Sequence, residues 1–337
     1  MAKIGMIGAG SWGTALTYRL SENGHEVDVW SIDASEVDMI NHDHEQKIKL
    51  PGTILKESVK ASTDLASVMS DKDLLVLAVP SPFTRSTAAK MAPYVRYGQL
   101  IVSVAKGIEE STLETLSQVI SEEIPQSNVA VLSGPTHAEE VGKGIPTTIV
   151  AGASDEKTAK YVQDIFMNEV FRVYTSPDML GMQIGAALKN VIALGAGIAD
   201  GLGYGDNTKA ALITRGIHEI ECLGVKMGGK METFMGLSGI GDLIVTCASM
   251  HSRNRRAGIL IGQGKSYEEA MAEVKQVVEG VYSAKAAVEL GKKYGVELPI
   301  IQEVSEILFD GKSAKDGMKE LMLREKKDEI PTLEWTK

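Results

Sequence analysis

The sequence predicts an α/β architecture: a doubly wound, mostly parallel sheet over residues 1–180, followed by an all-α domain over residues 181–337. Three observations predict it. Short apolar runs alternate with helical patterns through the first half of the chain. A G-x-G-x-x-G sequence joins the first apolar run to the first helical pattern. After about Ser176 strand-like runs become scarce and helical periodicity takes over.

Lys3–Ile7 (KIGMI) reads as a short buried strand. Gly8-Ala9-Gly10-Ser11-Trp12-Gly13 follows, and a helical pattern then runs through Ala15, Leu16 and Leu20. Gly8 allows a tight turn, Gly10 lets backbone approach a pyrophosphate, and Gly13 lets the helix pack on the strand. The helix start offers free N–H groups and a partial positive charge to phosphates. In this position the motif indicates a Rossmann-type dinucleotide site; a glycine-rich turn without a ligand is the other reading. His25–Trp30 is the second strand. Its end should meet the adenosine ribose about twenty residues beyond the motif, and Asp33 stands there. A carboxylate accepts hydrogen bonds from a ribose 2′-hydroxyl and repels a 2′-phosphate, so Asp33 favours NADH over NADPH. Asp28 competes for that place, and Asp33 reads equally as the N-cap of the next helix.

Leu74–Val79, Leu100–Val104, Val129–Leu132 and Thr147–Val150 continue the strands. In open parallel sheets ligands bind beyond the carboxyl ends of the strands. Lys106 and Thr136 fall there. Lys106 suits an anionic substrate, or is an ordinary lysine in a turn. His137, beside Thr136, receives no role.

The second half is organised around Met182–Asp200 (MQIGAALKNVIALGAGIAD). Glycine costs a helix roughly 1 kcal/mol relative to alanine, so this run of small residues implies close approach of other backbone or of a ligand. Lys189 and Asn190 interrupt it. The residues one turn from Lys189 (Gly185, Ala186, Ile192 and Ala193) include no acid, so the ammonium either snorkels or is poised in a pocket. Thr208–Lys226 reads as a long helix. The turn Gly236–Gly241 presents Asp242, with Thr246 one turn on if Asp242 begins a helix. In His251-Ser252-Arg253-Asn254-Arg255-Arg256, Ser252 is an N-cap candidate, and arginine beside free backbone donors suits a phosphate. A solvated basic helix start is the alternative. Ser283–Leu323 reads as scaffold, and Arg324–Lys337 as a charged, fraying end.

The chain has 337 residues, 44% hydrophobic and 24% charged, with a formal net charge of −10. That balance argues against nucleic acid. No apolar run reads as a membrane span, and the N-terminus enters a strand without a signal-peptide pattern. Two distant cysteines, Cys222 and Cys247, fit a reducing cytoplasm. His42, His44 and Glu45 lie in a charged, helix-like segment, and no metal is expected.

Taken together, GAGSWGTAL, AKGIE, SGPTHAEEV, ALKNVIALGAGI, GIGDLIVTC, SRNRRAG and VVEG, in this order from Lys3 to about Leu323, resemble the bacterial-type NAD(P)-dependent glycerol-3-phosphate dehydrogenase family. The resemblance implies reversible reduction of dihydroxyacetone phosphate to sn-glycerol 3-phosphate with NAD or NADP, supplying phospholipid synthesis. It implies that Lys189 is the catalytic proton donor and acceptor, with Lys106 and Asp242 beside it. It places Lys106, Gly134, Thr136, Asp242, Ser252, Arg253 and Asn254 at the substrate, with Asn190 and Thr246 where eukaryotic relatives have substrate contacts. It places Ser11, Trp12, Lys106, Ala138, Arg253, Val277 and Glu279 at the cofactor, beside Gly8, Gly10, Gly13 and Asp33 from the motif itself. Position 136 is more often serine in the family; threonine keeps the hydroxyl. Family members that use NADP often carry a basic residue near position 33, where this chain has Asp33. A cytoplasmic homodimer is implied as well. Ketopantoate reductases and 3-hydroxy-acid dehydrogenases are the alternative enzymes and lack the SRNRRAG stretch. A nicotinamide-sensing regulator would not need Lys189, Asp242 and Arg253 together.

Overall fold

The computed structural model describes residues 1–329. Eight strands form one sheet: β1 (Lys3–Ile7), β2 (Glu26–Trp30), β3 (Lys60–Ser62), β4 (Leu74–Leu77), β5 (Leu100–Ser103), β6 (Asn128–Ser133), β7 (Thr147–Gly152) and β8 (Phe171–Ser176). Their spatial order is β3-β2-β1-β4-β5-β6-β7-β8. The first six give the doubly wound 3-2-1-4-5-6 order, with its crossover between β1 and β4. Between and after them come α1 (Ser11–Glu22), α2 (Ala34–Asp38), α3 (Leu65–Met69), α4 (Thr84–Met91), α5 (Leu116–Glu123), α6 (Ala138–Val141) and α7 (Glu156–Phe166). The second half is helical: α8 (Met179–Gly201), α9 (Asp206–Lys226), α10 (Met231–Phe234), α11 (Asp242–Ala248), α12 (Arg253–Gly262), α13 (Tyr267–Val274), α14 (Glu279–Tyr294), α15 (Pro299–Phe309) and α16 (Ala314–Leu323).

The central strand β4 (LLVL) is apolar and buried at every position because both faces of the sheet are covered there. In β4, Leu74 and Val76 pack with Ala15, Leu16 and Val162 on one side. Leu75 and Leu77 pack with Val68, Ala88 and Ile120 on the other. The period of two along a strand sends neighbours to opposite layers.

Four features depart from the sequence reading. The strand beginning at Thr147 is antiparallel to β6. β8, parallel to β7, extends the sheet beyond it. β8 (FRVYTS) alternates buried and exposed residues, and that signal was available in the sequence. β3 is three residues long and half-exposed, with no apolar signal to find. Finally, α8 has the length and composition of a membrane span, yet it is buried inside the protein as its core helix.

α8 explains its own composition. A Cβ on Gly197 would fall 2.1 Å from the Arg255 carbonyl oxygen, and one on Gly258 would fall 2.2 Å from that of Leu194. Gly201 and Gly262 face each other in the same way. The glycines of α8 and α12 therefore bring two backbones into contact, which larger side chains would prevent. Lys189 lies on α8 and Ser252–Asn254 open α12, so this crossing sets the site. The stretch from Arg324 is tied as far as Lys327 by Arg324 and Lys327 to Glu297; the rest of the expected fraying end, 330–337, lies outside the described residues.

Candidate active site

At the nucleotide end, Gly8 has φ +122°, a value that favours glycine. A Cβ on Gly13 would fall 2.0 Å from the Gly8 carbonyl oxygen, so helix and turn touch here. A Cβ on Gly10 would meet no heavy atom of the described residues within 4 Å. Gly10 is the N-cap of α1, and no side chain occupies the backbone donors there. The indole nitrogen of Trp12 is buried without a hydrogen-bond partner among the described residues. An open cradle of backbone donors beside a stranded indole N–H fits a dinucleotide.

Asp33 caps α2 and is exposed: Oδ1 accepts from the backbone N of Ser35 at 2.8 Å and from its hydroxyl at 2.7 Å. The Ser35 hydroxyl, above all, holds the carboxyl below the usual range. Asp28, the competing acid, sits mid-strand and pairs with Lys72, away from the ribose end. Two residues missed in the sequence stand beside Asp33. Glu36, only 4% exposed, accepts from the Ser31 hydroxyl at 2.6 Å and pairs with the ammonium of Lys49. The Lys49 carbonyl in turn accepts from the Ser11 hydroxyl at 2.7 Å. Both lie in charged stretches with no periodicity to single them out.

The chemical centre lies between the halves. Lys189 Nζ donates to Asp242 Oδ1 at 2.7 Å and to Thr246 Oγ1 at 2.6 Å. Lys106 Nζ donates to Asp242 Oδ2 at 2.7 Å and to the Gly134 carbonyl at 2.8 Å, and lies 3.5 Å from Thr136 Oγ1. Asp242 does begin a helix, so Thr246 falls on its face one turn on. A Cβ on Gly185 would fall 2.7 Å from the Ser238 carbonyl oxygen. That close seat sets the turn Leu237–Gly241 on α8 and aims Asp242 at Lys189.

Burial pushes the Lys189 ammonium down to about 8, with the Asp242 charge pulling it up and Lys106 pushing it further down. The acid that the neighbouring turns of α8 lack comes from another helix, where the resemblance implied Asp242, and the burial of the ammonium is almost complete. His137 was missed as a neighbour. Its Nε2 lies 3.4 Å from the Val245 carbonyl oxygen and its ring 5.8 Å from that of His251. Burial, then the Lys189 charge, holds its pKa below the ordinary value, which adds no third cation to the site.

At the other end of the centre, Ser252 caps α12, its hydroxyl accepting from the Arg255 backbone N at 3.2 Å. Arg253 opens that helix. Asn254 Nδ2 donates to Asn190 Oδ1 at 3.0 Å, and its Oδ1 accepts from the Gly280 backbone N at 2.8 Å. Val277 is half-buried just before α14, and Glu279 opens it. The Glu279 carboxylate accepts from the backbone and hydroxyl of Ser81, at the carboxyl end of β4. Ala138 opens α6 and is buried. The structure thus joins Lys106, Gly134, Thr136, Lys189, Asp242 and Thr246 in one hydrogen-bonded cluster. It joins Asn190, Asn254 and the start of α14 in a second. These clusters can protonate a carbonyl oxygen and hold an anion.

The description "NAD-dependent glycerol-3-phosphate dehydrogenase N-terminus" matches residues 3–159, and its C-terminal counterpart matches residues 178–319. An NAD(P)+ glycerol-3-phosphate dehydrogenase of Agathobacter rectalis is 63% identical over 335 residues, 99% of this chain and 100% of that protein. One from Bacillus subtilis is 49% identical over 336 residues, 99% of this chain and 97% of that protein. The crystal structure of glycerol-3-phosphate dehydrogenase from Coxiella burnetii superposes with a TM-score of 0.93 at 34% identity, covering 96% of this chain and 99% of that one.

Proposed function

Because the chain belongs to the NAD-dependent glycerol-3-phosphate dehydrogenase family and is an oxidoreductase that uses NAD or NADP, we propose that Lys189 is the proton donor in its reversible reduction of dihydroxyacetone phosphate to sn-glycerol 3-phosphate. That activity supplies the glycerol backbone of phospholipids. The observation that carries the proposal is the single carboxylate of Asp242 between two ammonium groups, Lys189 and Lys106, where the halves meet.

NAD(P)H, when bound, supplies the hydride. The nucleotide would be held by the glycine turn Gly8–Gly13, Ser11 and Trp12, with Lys106, Ala138, Arg253, Val277 and Glu279 closing on it. As negative charge grows on the ketone oxygen, the Lys189 ammonium stabilises it and gives up a proton. Asp242 and Thr246 hold that ammonium in place. In the reverse direction neutral Lys189 takes the proton of the hydroxyl. A value of about 8 keeps both forms accessible near neutral pH. Lys106 and Thr136 orient the substrate from the sheet side. Arg253, Asn254 and the backbone donors after Ser252 hold its phosphate, fixing the ketone against the hydride. On this reading residues 1–180 bind the nucleotide, residues 181–337 supply catalysis, and the protein is a cytoplasmic homodimer joined through its helical half.

The test is NADH and NADPH oxidation with dihydroxyacetone phosphate, scored by glycerol 3-phosphate formed. Turnover with ketopantoate or a 3-oxo acid, and none with dihydroxyacetone phosphate, would reject it.

A further inference from the structure

Ser81 has no part in the reaction described so far, yet it makes a connection across the two halves. It follows β4 and opens the short turn Ser81–Phe83. Its backbone N–H donates to Glu279 Oε1 at 3.2 Å, and its hydroxyl donates to Glu279 Oε2. Glu279 is the first residue of α14, 198 positions away. Burial pushes the Glu279 carboxyl up, and the two Ser81 donors, then the Arg253 charge, oppose that. A Cβ on Gly107 would fall 2.4 Å from Ser81 Cβ, so the contact also lies against the residue after Lys106.

The connection continues from the same helix start. Gly280 donates its N–H to Asn254 Oδ1 at 2.8 Å, and Asn254 donates to Asn190 Oδ1 at 3.0 Å. The seat is tight, since a Cβ on Gly280 would fall 2.5 Å from the Asn190 carbonyl oxygen and 2.8 Å from Asn254 Oδ1. Any displacement of the first turn of α14 is therefore transmitted to Asn254, next to Arg253, and to Asn190, next to Lys189.

We propose that Ser81 is a positioning residue for the phosphate clamp: by holding Glu279 it fixes the first turn of α14, and through Gly280 it sets the amide of Asn254. The proposal rests on the reading of Arg253 and Asn254 as the groups that hold the substrate phosphate. Atoms of Ser81 need not touch the phosphate for this. A hydroxyl bond to a carboxylate is of the stronger kind, and its loss should matter by about tenfold in affinity.

The experiment compares Ser81→Ala, Ser81→Thr and Arg253→Ala at saturating NADH, with dihydroxyacetone phosphate and unphosphorylated dihydroxyacetone as substrates. Ser81→Ala should raise KM for the phosphorylated ketone about tenfold, hold kcat within about twofold, and leave kcat/KM for dihydroxyacetone unchanged. Ser81→Thr, which keeps the hydroxyl, should restore KM. Equal loss on both ketones, no loss, or loss confined to NADH affinity would each overturn the proposal. If Arg253→Ala also impairs both ketones equally, the clamp reading itself fails and this proposal with it. If Arg253→Ala is selective for the phosphate and Ser81→Ala is not, only the role of Ser81 is rejected.

Discussion

The carboxylate of Asp242 lies 2.7 Å from the ammonium of Lys189, with both side chains almost wholly inside the protein. Its other oxygen lies 2.7 Å from the ammonium of Lys106. One negative charge therefore serves two positive ones, and Lys189 is held charged only by that balance. Burial has already brought it down to about 8. Ketone reduction, which needs the ammonium, should fall as pH rises through about 8, and glycerol 3-phosphate oxidation should rise over the same range. Asp242→Asn keeps the shape and removes the counter-charge. It should move the alkaline limb of kcat/KM for reduction to lower pH and cost about a hundredfold or more in rate. A limb that stays in place in the Asn variant would separate Asp242 from the proton donor.

Arg253→Ala tests the phosphate end. Losing a charge-assisted contact should cost on the order of 2–3 kcal/mol in kcat/KM with dihydroxyacetone phosphate. Dihydroxyacetone itself should be a poor substrate for the parent protein and indifferent to the change. Steady-state kinetics with both ketones decides it.

The cofactor preference follows from Asp33. Its exposed carboxylate would accept from the ribose hydroxyls of NADH and meet the extra phosphate of NADPH with like charge. That repulsion should appear as a lower kcat/KM with NADPH than with NADH. Lys49 opposes this, since its ammonium, now on Glu36, lies close enough to Asp33 to act on it. NADH should still be preferred, and Asp33→Ser should raise kcat/KM with NADPH while lowering it with NADH. Unchanged ratios in the variant would move the selection elsewhere.

Glu219 makes a prediction about stability rather than turnover. It is buried on α9 and caps α15, accepting from the backbone N of Ile300 at 2.8 Å and of Ile301 at 3.2 Å. Burial pushes its carboxyl up to about 7, against those two bonds. A folded-state value above the unfolded one gives stability that is present below the unfolded pKa and lost as pH rises through about 7. The group should contribute on the order of 2–3 kcal/mol less at pH 8 than at pH 5. Thermal melts of Glu219→Gln should lose that pH dependence between those values, and a parallel slope in both proteins would refute the assignment.

Much of the site was legible in the sequence because backbone geometry dictates it. Gly8, Gly10 and Gly13 are where a turn, an open approach and a helix contact demand glycine. Ser252 and Asp33 are caps, and caps have short-range signatures. Lys189 stood out because no acid lies one turn from it on its own helix. What the sequence could not give was long-range. Asp242 is 53 positions from Lys189, and Glu279 is 198 from Ser81. No periodicity encodes such a pairing. Glu36 with Lys49, and His137 with Val245, escaped for the same reason. β8 is different, since its alternation of buried and exposed residues was there to be read.

The proton-donor role of Lys189 is most directly tested by single-turnover hydride transfer in Lys189→Met, which keeps an unbranched side chain one atom shorter and removes the ammonium. With dihydroxyacetone phosphate and prebound NADH, the rate of NADH consumption should fall by about a hundredfold or more. NADH affinity should change little, and the thermal melt should remain cooperative. A variant that binds NADH normally and retains a tenth or more of the parent rate would contradict the account, and the proton would then have to come from a group other than Lys189.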